Sequence, residues 1–189
     1  MDNSALLARS DLFSAFDEQT LQRLALSARS IRCDRNQVVF SEGDEAAELF
    51  VVRSGRVAIG RRSPDGRESL VALMESGDLF GEMSLFDQGD RSASARALEA
   101  SQLVGVPYHL VHECLDARPQ LLWDVVGLLA QRLRSTDSAL ADAVFLDVTG
   151  RTAKRLLELA GTSDEFQLPI TQEELAGLVG ASRERVNKA

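Results

Sequence analysis

The spacing of apolar residues divides the chain into parts with different periods. Over residues 1–30 they recur at helical intervals and predict helix: Leu6, Leu7, Leu12, Phe13, Phe16, Leu21, Leu24 and Leu26. From about residue 36 short runs typical of strands take over: Val38–Phe40, Leu49–Val52, Val57–Ile59, Leu70–Leu73 and Leu103–Val106. After Pro119 the helical period returns.

Turn-forming residues separate the strand-like runs. They stand at Glu42-Gly43-Asp44, Ser54-Gly55, Pro64-Asp65-Gly66 and Ser76-Gly77. Many short strands at this interval predict an antiparallel barrel or jelly roll. With helices before and after it, the chain is expected to have an α+β fold.

One polar motif interrupts the strand pattern, at Gly77–Asp87 and Arg91–Ala95. Gly81 allows a close backbone approach to a ligand, and Arg91 is a charge-assisted donor for phosphate oxygens, with the Ser92 hydroxyl beside it. Glu82 would repel a bare phosphate, but it can accept a hydrogen bond from a neighbouring sugar hydroxyl. The combination favours a nucleotide site, and the plainer alternative is a glycine-rich turn with a surface Arg–Glu pair.

The order Phe80-Gly81-Glu82 and Arg91-Ser92-Ala93 resembles the phosphate-binding cassette of cyclic-nucleotide-binding domains. The branch that it resembles is the catabolite activator (cAMP receptor) family of bacterial transcription regulators. The resemblance implies cAMP as the effector. It also implies that the ligand is held by the cassette residues Gly81, Glu82, Met83, Ser84, Arg91, Ser92 and Ala93.

The helical segment after Pro119 carries a regular apolar seam. Its positions follow 4-3 spacing, as in a two-stranded coiled coil: Leu122, Val126, Leu129, Leu133, Thr136, Leu140 and Ala143. We expect a parallel homodimer through this helix. The alternative is an amphipathic helix that packs only on its own barrel.

Thr136 and Asp137 stand where the resemblance implies contacts to the adenine base. Family members carry Thr-Ser at this place, and this chain has Thr136-Asp137. An ionised aspartate accepts the N6 amino group of adenine, or N1–H and N2–H of guanine, so cGMP remains open. Alternatively, Thr136 satisfies its own backbone and Asp137 points to solvent.

The C-terminal part has the pattern of a helix-turn-helix. Phe145–Arg151 resembles the family's hinge, and a helix follows that Gly161 ends. Thr171 and Glu174 form a capping box that starts a helix through Leu178, and Gly180 with Ser182 starts the next one. A purely structural helical hairpin has the same pattern.

The resemblance assigns DNA contacts to Thr171, Ser182, Arg183, Glu184 and Lys188. A dimer then implies double-stranded DNA with a pseudo-palindromic site, and RNA polymerase is a further partner that the family suggests. The chain stops eight residues into the predicted recognition helix, whereas family members continue. We therefore expect a C-terminally truncated protein that binds ligand and dimerises but binds DNA poorly.

Composition restricts the other classes of function. Net charge is −8, which neither supports nor excludes nucleic acid. No apolar run approaches 18 residues and the start lacks a basic region, so we expect a cytoplasmic protein with no membrane partner. Cys33 and Cys114 are far apart, and His109 with His112 lacks a third ligand, so no metal is expected. The sequence shows no nucleophile–base pair of the kind that would predict an enzyme.

The predicted organisation has three parts. Residues 1–117 form a cyclic-nucleotide-binding domain, 118–145 a dimerisation helix, and 146–189 a partial DNA-binding domain. One alternative is a regulator of the same fold that needs no ligand or senses cGMP, redox state or haem. Another is a ligand-binding regulatory module that controls a partner protein without binding DNA.

Overall fold

The computed structural model describes residues 2–62, 68–161, 166–168 and 170–189. The predicted turn at Pro64-Asp65-Gly66 and the residue Pro169 lie outside these ranges. The chain divides into two compact units. The first comprises Met1–Gly60 with Ala72–Ala130, and the second comprises Arg61–Val71 with Gln131–Ala189.

The strands form two four-stranded sheets, with the orders β1-β8-β3-β6 and β2-β7-β4-β5. Their bounds are β1 Arg29–Cys33, β2 Val38–Phe40, β3 Glu48–Ser54, β4 Val57–Arg62, β5 Glu68–Met74, β6 Leu79–Phe80, β7 Ser94–Ala97 and β8 Ser101–Pro107. Strand β3 pairs antiparallel with β8 and β6, and β7 pairs antiparallel with β2 and β4. This architecture confirms the predicted α+β class with its antiparallel β sandwich.

Strand β3 has both faces buried, because it separates two apolar clusters. Phe50 and Val52 face a cluster shared by the two sheets, together with Phe80 of β6 and Ala95 of β7. Leu49 and Val51 face a second cluster, which the helices cover. The side chains of a strand alternate between faces, so one continuous apolar run serves both clusters.

The helices are short except for one. Their bounds are α1 Asn3–Leu7, α2 Glu18–Ser27, α3 Met83–Asp87, α4 Tyr108–Ala117, α5 Leu122–Phe145, α6 Val148–Ala160, α7 Gln172–Val179 and α8 Arg183–Val186, with a 3-10 turn at Pro119–Leu121. No helix of the described part of the chain is long and apolar enough to span a membrane.

The prediction of helix through residue 30 is wrong at its end. Helix α2 stops at Ser27, Ala28 is extended, and Arg29 already begins β1. Turns separate α1 from α2, and the Asp17 carboxylate caps α2 by accepting from the Thr20 amide at 2.8 Å. The last leucine of the predicted helix, Leu26, is 89% exposed, so the buried stripe of α2 ends at Leu24.

Helix α5 carries two apolar stripes. Val125 and Leu128 are buried in the helix-covered cluster, and Leu129, which the spacing assigned to the dimer seam, also packs against it. The other six seam positions are exposed: Leu122, Val126, Leu133, Thr136, Leu140 and Ala143. The first stripe therefore attaches the start of α5 to its own domain, and the second is uncovered in the single chain.

Candidate functional site

The cassette begins at a glycine that no other residue replaces without strain. Gly81 follows β6 with φ +76, and a Cβ placed there would lie 2.7 Å from Nη1 of Arg91. Helix α3 begins two residues later, with Glu82 at its N-cap position. Gly81 therefore stands directly before a short helix and in close approach to Arg91.

Arg91 points into the protein, and only 5% of it is exposed. Its Nη1 donates to the Gly81 carbonyl at 2.8 Å and to the Tyr108 hydroxyl at 2.9 Å. Its Nη2 donates to the Glu48 carbonyl at 2.8 Å. Three elements, β3, the cassette and α4, therefore hold one guanidinium.

Aromatic rings surround the same guanidinium. Its Cζ lies 4.1 Å from the centroid of the Phe40 ring, 5.4 Å from that of Phe50 and 5.8 Å from that of Tyr108. Phe50 and Phe80 stack with centroids 5.3 Å apart. A desolvated guanidinium over such a face gains about 2 kcal/mol, so the rings fix its place as well as its charge.

The Nε donor of Arg91 is left for another group. Its Nε is buried and has no hydrogen-bond partner among the described residues. A guanidinium carries five N–H donors in a planar fork that suits phosphate oxygens, and a buried donor without a partner is costly. The donors present therefore fit an anion such as a phosphate group.

Glu82 is fully buried, with 0% exposure, one residue after Gly81. Its carboxylate makes no cap hydrogen bond to α3. A buried ionised carboxylate can only accept hydrogen bonds, so it suits a hydroxyl donor next to the anion. This is the chemistry that the sequence analysis assigned to Glu82.

The other cassette residues differ in exposure. The Ser84 hydroxyl donates to the Asp90 carbonyl at 3.1 Å and closes the loop between α3 and Arg91. Ser92 is exposed, with its hydroxyl 3.6 Å from the Met83 sulfur, whereas Ala93 is buried. The structure thus brings all seven predicted cassette residues into one segment around Gly81 and Arg91.

A neighbouring loop braces Arg91 through its backbone. The Arg91 amide donates to the Asp44 carbonyl at 2.9 Å, and the Gly43 amide donates to the Arg91 carbonyl at 2.9 Å. The Ser94 hydroxyl accepts from the Glu42 amide at 2.9 Å. The turn predicted at Glu42–Asp44 therefore supports the site.

Thr136 and Asp137 lie in the second unit, on a stretch of α5 where both are exposed. The Thr136 hydroxyl donates to the Arg132 carbonyl at 3.0 Å, one helical turn earlier. This backbone bond is the plainer alternative from the sequence analysis. It leaves the hydroxyl oxygen able to accept.

The predicted DNA-contacting residues lie around α7 and α8. The capping box is confirmed, since Thr171 accepts from the Glu174 amide and Glu174 accepts from the Thr171 amide. Gly180 is left-handed with φ +68, as the turn requires. Ser182 is the N-cap residue of α8, as predicted, although its side chain makes no cap hydrogen bond. Arg183, Glu184 and Lys188 are exposed.

Residues 30–118 match the cyclic nucleotide-binding domain family, and residues 150–189 match the Crp-like helix-turn-helix domain family. A CRP-like cAMP-activated global transcriptional regulator of Mycobacterium tuberculosis is 41% identical over 191 residues, 97% of this chain and 85% of that protein. The chain belongs to the CRP family of cyclic-nucleotide-binding transcription regulators. The family resemblance stated from the sequence is confirmed.

Other CRP-family proteins are also similar. The cAMP-activated global transcriptional regulator CRP of Salmonella typhimurium is 33% identical over 154 residues, 78% of this chain and 73% of that protein. The c-di-GMP responsive global regulator CLP of Xanthomonas campestris superposes with a TM-score of 0.77 at 29% identity, covering 91% of this chain and 89% of that one. Similar proteins are thus named for different effectors.

In this CRP-family chain three contributors to the site were missed from the sequence. The Tyr108 hydroxyl, the Glu48 carbonyl and the Phe40 ring all contact the Arg91 guanidinium. A backbone carbonyl has no sequence signal. The chain's single tyrosine directly after a proline was a visible signal that the analysis did not use.

The described residues contain neither a cluster of metal ligands nor a disulfide. Among them, no group of three or more His, Cys, Asp or Glu is placed to hold a metal ion. Cys33 and Cys114 are both buried and free, and burial raises the pKa of the Cys33 thiol. His109 and His112 are exposed on α4.

Proposed function

We propose that this CRP-family protein is a cAMP-responsive homodimer whose binding to DNA is controlled by ligand. The observation that carries the proposal is the buried Arg91 guanidinium beside Gly81, with an Nε donor that lacks a partner in the described residues. The phosphate would be held by Arg91, Ser92 and Ala93 together with the backbone and side chains of Gly81–Ser84. Glu82 would accept from the ribose hydroxyl.

Two other cyclic nucleotides, cGMP and c-di-GMP, are alternatives to cAMP as the effector. The names of the Mycobacterium tuberculosis and Salmonella typhimurium relatives specify cAMP, and that of the Xanthomonas campestris protein specifies c-di-GMP. One phosphate-binding arginine with one hydroxyl-accepting glutamate suits a cyclic mononucleotide better than c-di-GMP, and the names of the first two relatives place cAMP before cGMP. Thr136 and Asp137 would contact the base.

Asp137 keeps cGMP open as a second effector. Its carboxylate is exposed and can accept both N1–H and N2–H of guanine as a bidentate pair. A matched bidentate pair of this kind is worth about 1–3 kcal/mol of discrimination between bases. The same argument makes c-di-GMP a necessary third ligand in any titration.

The exposed stripe on α5 supports dimerisation. Leu133 and Leu140 are 62% and 64% exposed, one heptad apart, on a helix whose other stripe already packs on its own domain. Such spacing suits a second copy of the same helix, since knobs repeat every seven residues. We propose 1–117 as the ligand-binding domain, 118–145 as the dimerisation helix and 146–189 as the DNA-binding part.

Signal transfer is proposed to use the hinge between α5 and α6. Arg151 donates from Nη1 to the Leu146 carbonyl at 2.8 Å and from Nε to the Val179 carbonyl at 3.0 Å. It thereby joins the hinge to the last turn of α7. A ligand that favours one hinge arrangement changes the orientation of the DNA-contacting helices, which is a coupling free energy between two sites.

DNA recognition is proposed for the exposed residues at the N-terminal end of α8 and its neighbours. Arg183 would pair with guanine and Glu184 would accept from cytosine, with Thr171, Ser182 and Lys188 on either side. Two-fold symmetry implies a pseudo-palindromic site with half-sites about one turn of DNA apart. RNA polymerase would be a further partner, and the cytoplasm the place of action.

Calorimetric titration of the chain with cAMP, cGMP and c-di-GMP tests the effector directly. We expect one cAMP per subunit, bound in the micromolar range or tighter, and weaker binding of the other two. Preference for cGMP would make cGMP the effector and assign the recognition of its guanine to Asp137. Binding of none of the three would favour a ligand-independent regulator of the same fold and overturn the proposal.

A pair of glycine substitutions tests the crowding around Arg91. Gly81→Ala and Gly77→Ala both place a side chain at positive φ, +76 and +101, and each should lose about 1–2 kcal/mol of folding stability. Only at Gly81 would the new Cβ displace Nη1 of Arg91, because nothing lies within 4 Å of a Cβ at Gly77.

Gly81→Ala should therefore weaken cAMP binding several-fold more than Gly77→Ala does, at matched thermal stability. The measurements are calorimetric affinity and thermal unfolding of both variants. Equal affinities in the two variants would show that the close approach between Gly81 and Arg91 has no part in binding.

A further inference from the structure

Tyr108 is the only tyrosine of the chain, and it stands where a strand becomes a helix. It follows Pro107 at the end of β8 and is the first residue of α4. It is buried, with 8% exposure, and belongs to the helix-covered apolar cluster. Its ring alone would suit that cluster, so the hydroxyl requires a separate explanation.

The hydroxyl is hydrogen-bonded to the cassette. It donates to the Gly81 carbonyl and accepts from Nη1 of Arg91 at 2.9 Å. The Gly81 carbonyl also accepts from Nη1 of Arg91 at 2.8 Å. One phenol, one carbonyl and one guanidinium nitrogen thus form a closed triangle of hydrogen bonds.

This triangle determines which donors of Arg91 remain. Both protons of Nη1 are used, one on Gly81 and one on Tyr108, while Nη2 donates to Glu48. Nε has no partner among the residues that the structure describes. Without the Tyr108 hydroxyl, Nη1 would lose an acceptor, and the guanidinium could turn about its long side chain.

Tyr108 and Glu48 are themselves held by one pair of strands. Glu48 of β3 lies opposite Pro107 of β8, and the Tyr108 amide donates to the Ala47 carbonyl at 2.9 Å. Groups mounted on paired strands keep their positions better than groups on loops. The acceptors around Arg91 are therefore part of the rigid sandwich.

We propose that Tyr108 is a positioning residue of the phosphate site, whose hydroxyl fixes the Arg91 guanidinium and the Gly81 carbonyl so that Nε stays available to the anion. This inference rests on the proposed binding of a cyclic nucleotide. It gives α4, which lies outside the cassette, a role in ligand affinity through the Arg91 guanidinium.

The protonation state of the phenol agrees with this role. Burial raises the pKa of Tyr108 above its ordinary value, and the negative charge of Glu82 acts in the same direction, against the opposing effects of Arg91 and Ser84. The phenol therefore stays protonated at neutral pH. A protonated hydroxyl can donate to Gly81 while accepting from Arg91, which a phenolate cannot do.

Tyr108→Phe removes the hydroxyl and keeps the ring. We expect its affinity for cAMP to fall about tenfold relative to the unaltered protein, because a hydrogen bond to a charged group is lost. The ligand-free variant should unfold at a somewhat lower temperature, because Nη1 of Arg91 loses a buried acceptor, so its affinity is measured well below that temperature. The matched control is Ser101→Ala, which removes another buried β8-region hydroxyl, bonded to the Glu99 carbonyl at 2.8 Å, and should leave affinity unchanged.

The unaltered protein offers an independent measurement. Since Tyr108 is the single tyrosine, ultraviolet difference spectroscopy on adding cAMP should show a change in the tyrosine band near 285 nm, absent in Tyr108→Phe. Trp123 is 78% exposed and absorbs at longer wavelength. Subtracting the difference spectrum of Tyr108→Phe removes the contribution of Trp123. No tyrosine signal on saturation would overturn the inference.

The outcomes separate this inference from the proposed function. If the unaltered protein binds cAMP and Tyr108→Phe binds it equally well, the positioning role is wrong and the proposed function stands. A lower melting temperature with unchanged affinity of the folded protein would reduce Tyr108 to a core residue. If the unaltered protein binds no cyclic nucleotide, the proposed function and this inference both fail.

Discussion

Arg91→Ala is expected to lower the affinity for cAMP by roughly 10- to 150-fold, the largest effect of any single change in the cassette. A hydrogen bond to a charged group contributes about 1.5–3 kcal/mol, and each 1.4 kcal/mol is a factor of ten in affinity. Arg91 is 5% exposed, so solvent cannot replace its charge beside the ligand. Calorimetric titration measures the loss.

Two further variants show whether the loss is specific to the guanidinium. Arg91→Lys keeps the charge but not the planar fork, so its affinity should lie between those of the unaltered protein and the alanine variant. Arg96→Ala removes an arginine of the following strand, β7, that bonds to Asn36 at 3.0 Å, and should bind cAMP normally. Unchanged affinity in Arg91→Ala would remove the cassette assignment altogether.

The double variant Leu133→Asp/Leu140→Asp is expected to convert a dimer into monomers. Each leucine buried at a helix–helix seam contributes about 1.5–3 kcal/mol. With two leucines removed from each subunit, the dissociation constant of the dimer should rise by more than about a hundredfold. Both side chains are more than 60% exposed in the single chain, so its fold should survive the change.

Sedimentation velocity over a concentration series measures this effect. Leu26→Asp is the matched control, since Leu26 is 89% exposed on α2 and stands outside the seam. Circular dichroism of the double variant should retain its helix content. A dimer that withstands both aspartates would place the subunit contact elsewhere and leave the α5 stripe without its proposed partner.

Local signals in the sequence were sufficient for several elements. The spacing of Thr171 and Glu174 predicted a capping box, and both of its hydrogen bonds are present. Gly180 predicted the turn between the two helices, and it lies between α7 and α8 with φ +68. Such features depend on residues within one turn of each other, so no distant part of the chain can alter them.

Elements whose form depends on distant partners were missed. Strand β7 is Ser94–Ala97, with Ala95 and Ala97 buried between the sheets, and alanine has no preference for strands. Strand β6 has two residues, and β1 has one fully buried side chain, Cys33. Pairing with β3, β4 and β8 makes these segments strands, and their own composition does not.

Helix α5 combines a feature that the sequence predicted with one that only packing decided. Heptad spacing predicted the length of α5 and its uncovered stripe, and six of the seven seam positions are exposed. The spacing also placed Leu129 on the seam, although it packs against the core of its own domain. Periodicity places a residue on a face of a helix, but the neighbouring layer determines which face is covered.

The sequence by itself determined the family, the sandwich-then-helix order of the chain, and the chemical types that the cassette presents, because these follow from residue identity and short spacing. Only the tertiary structure decided how Arg91 is held. Its partners come from Glu48, 43 residues earlier, and Tyr108, 17 residues later. The antiparallel register of β3 and β8 brings them together, and such register is a property of the packed sheet rather than of any segment in it.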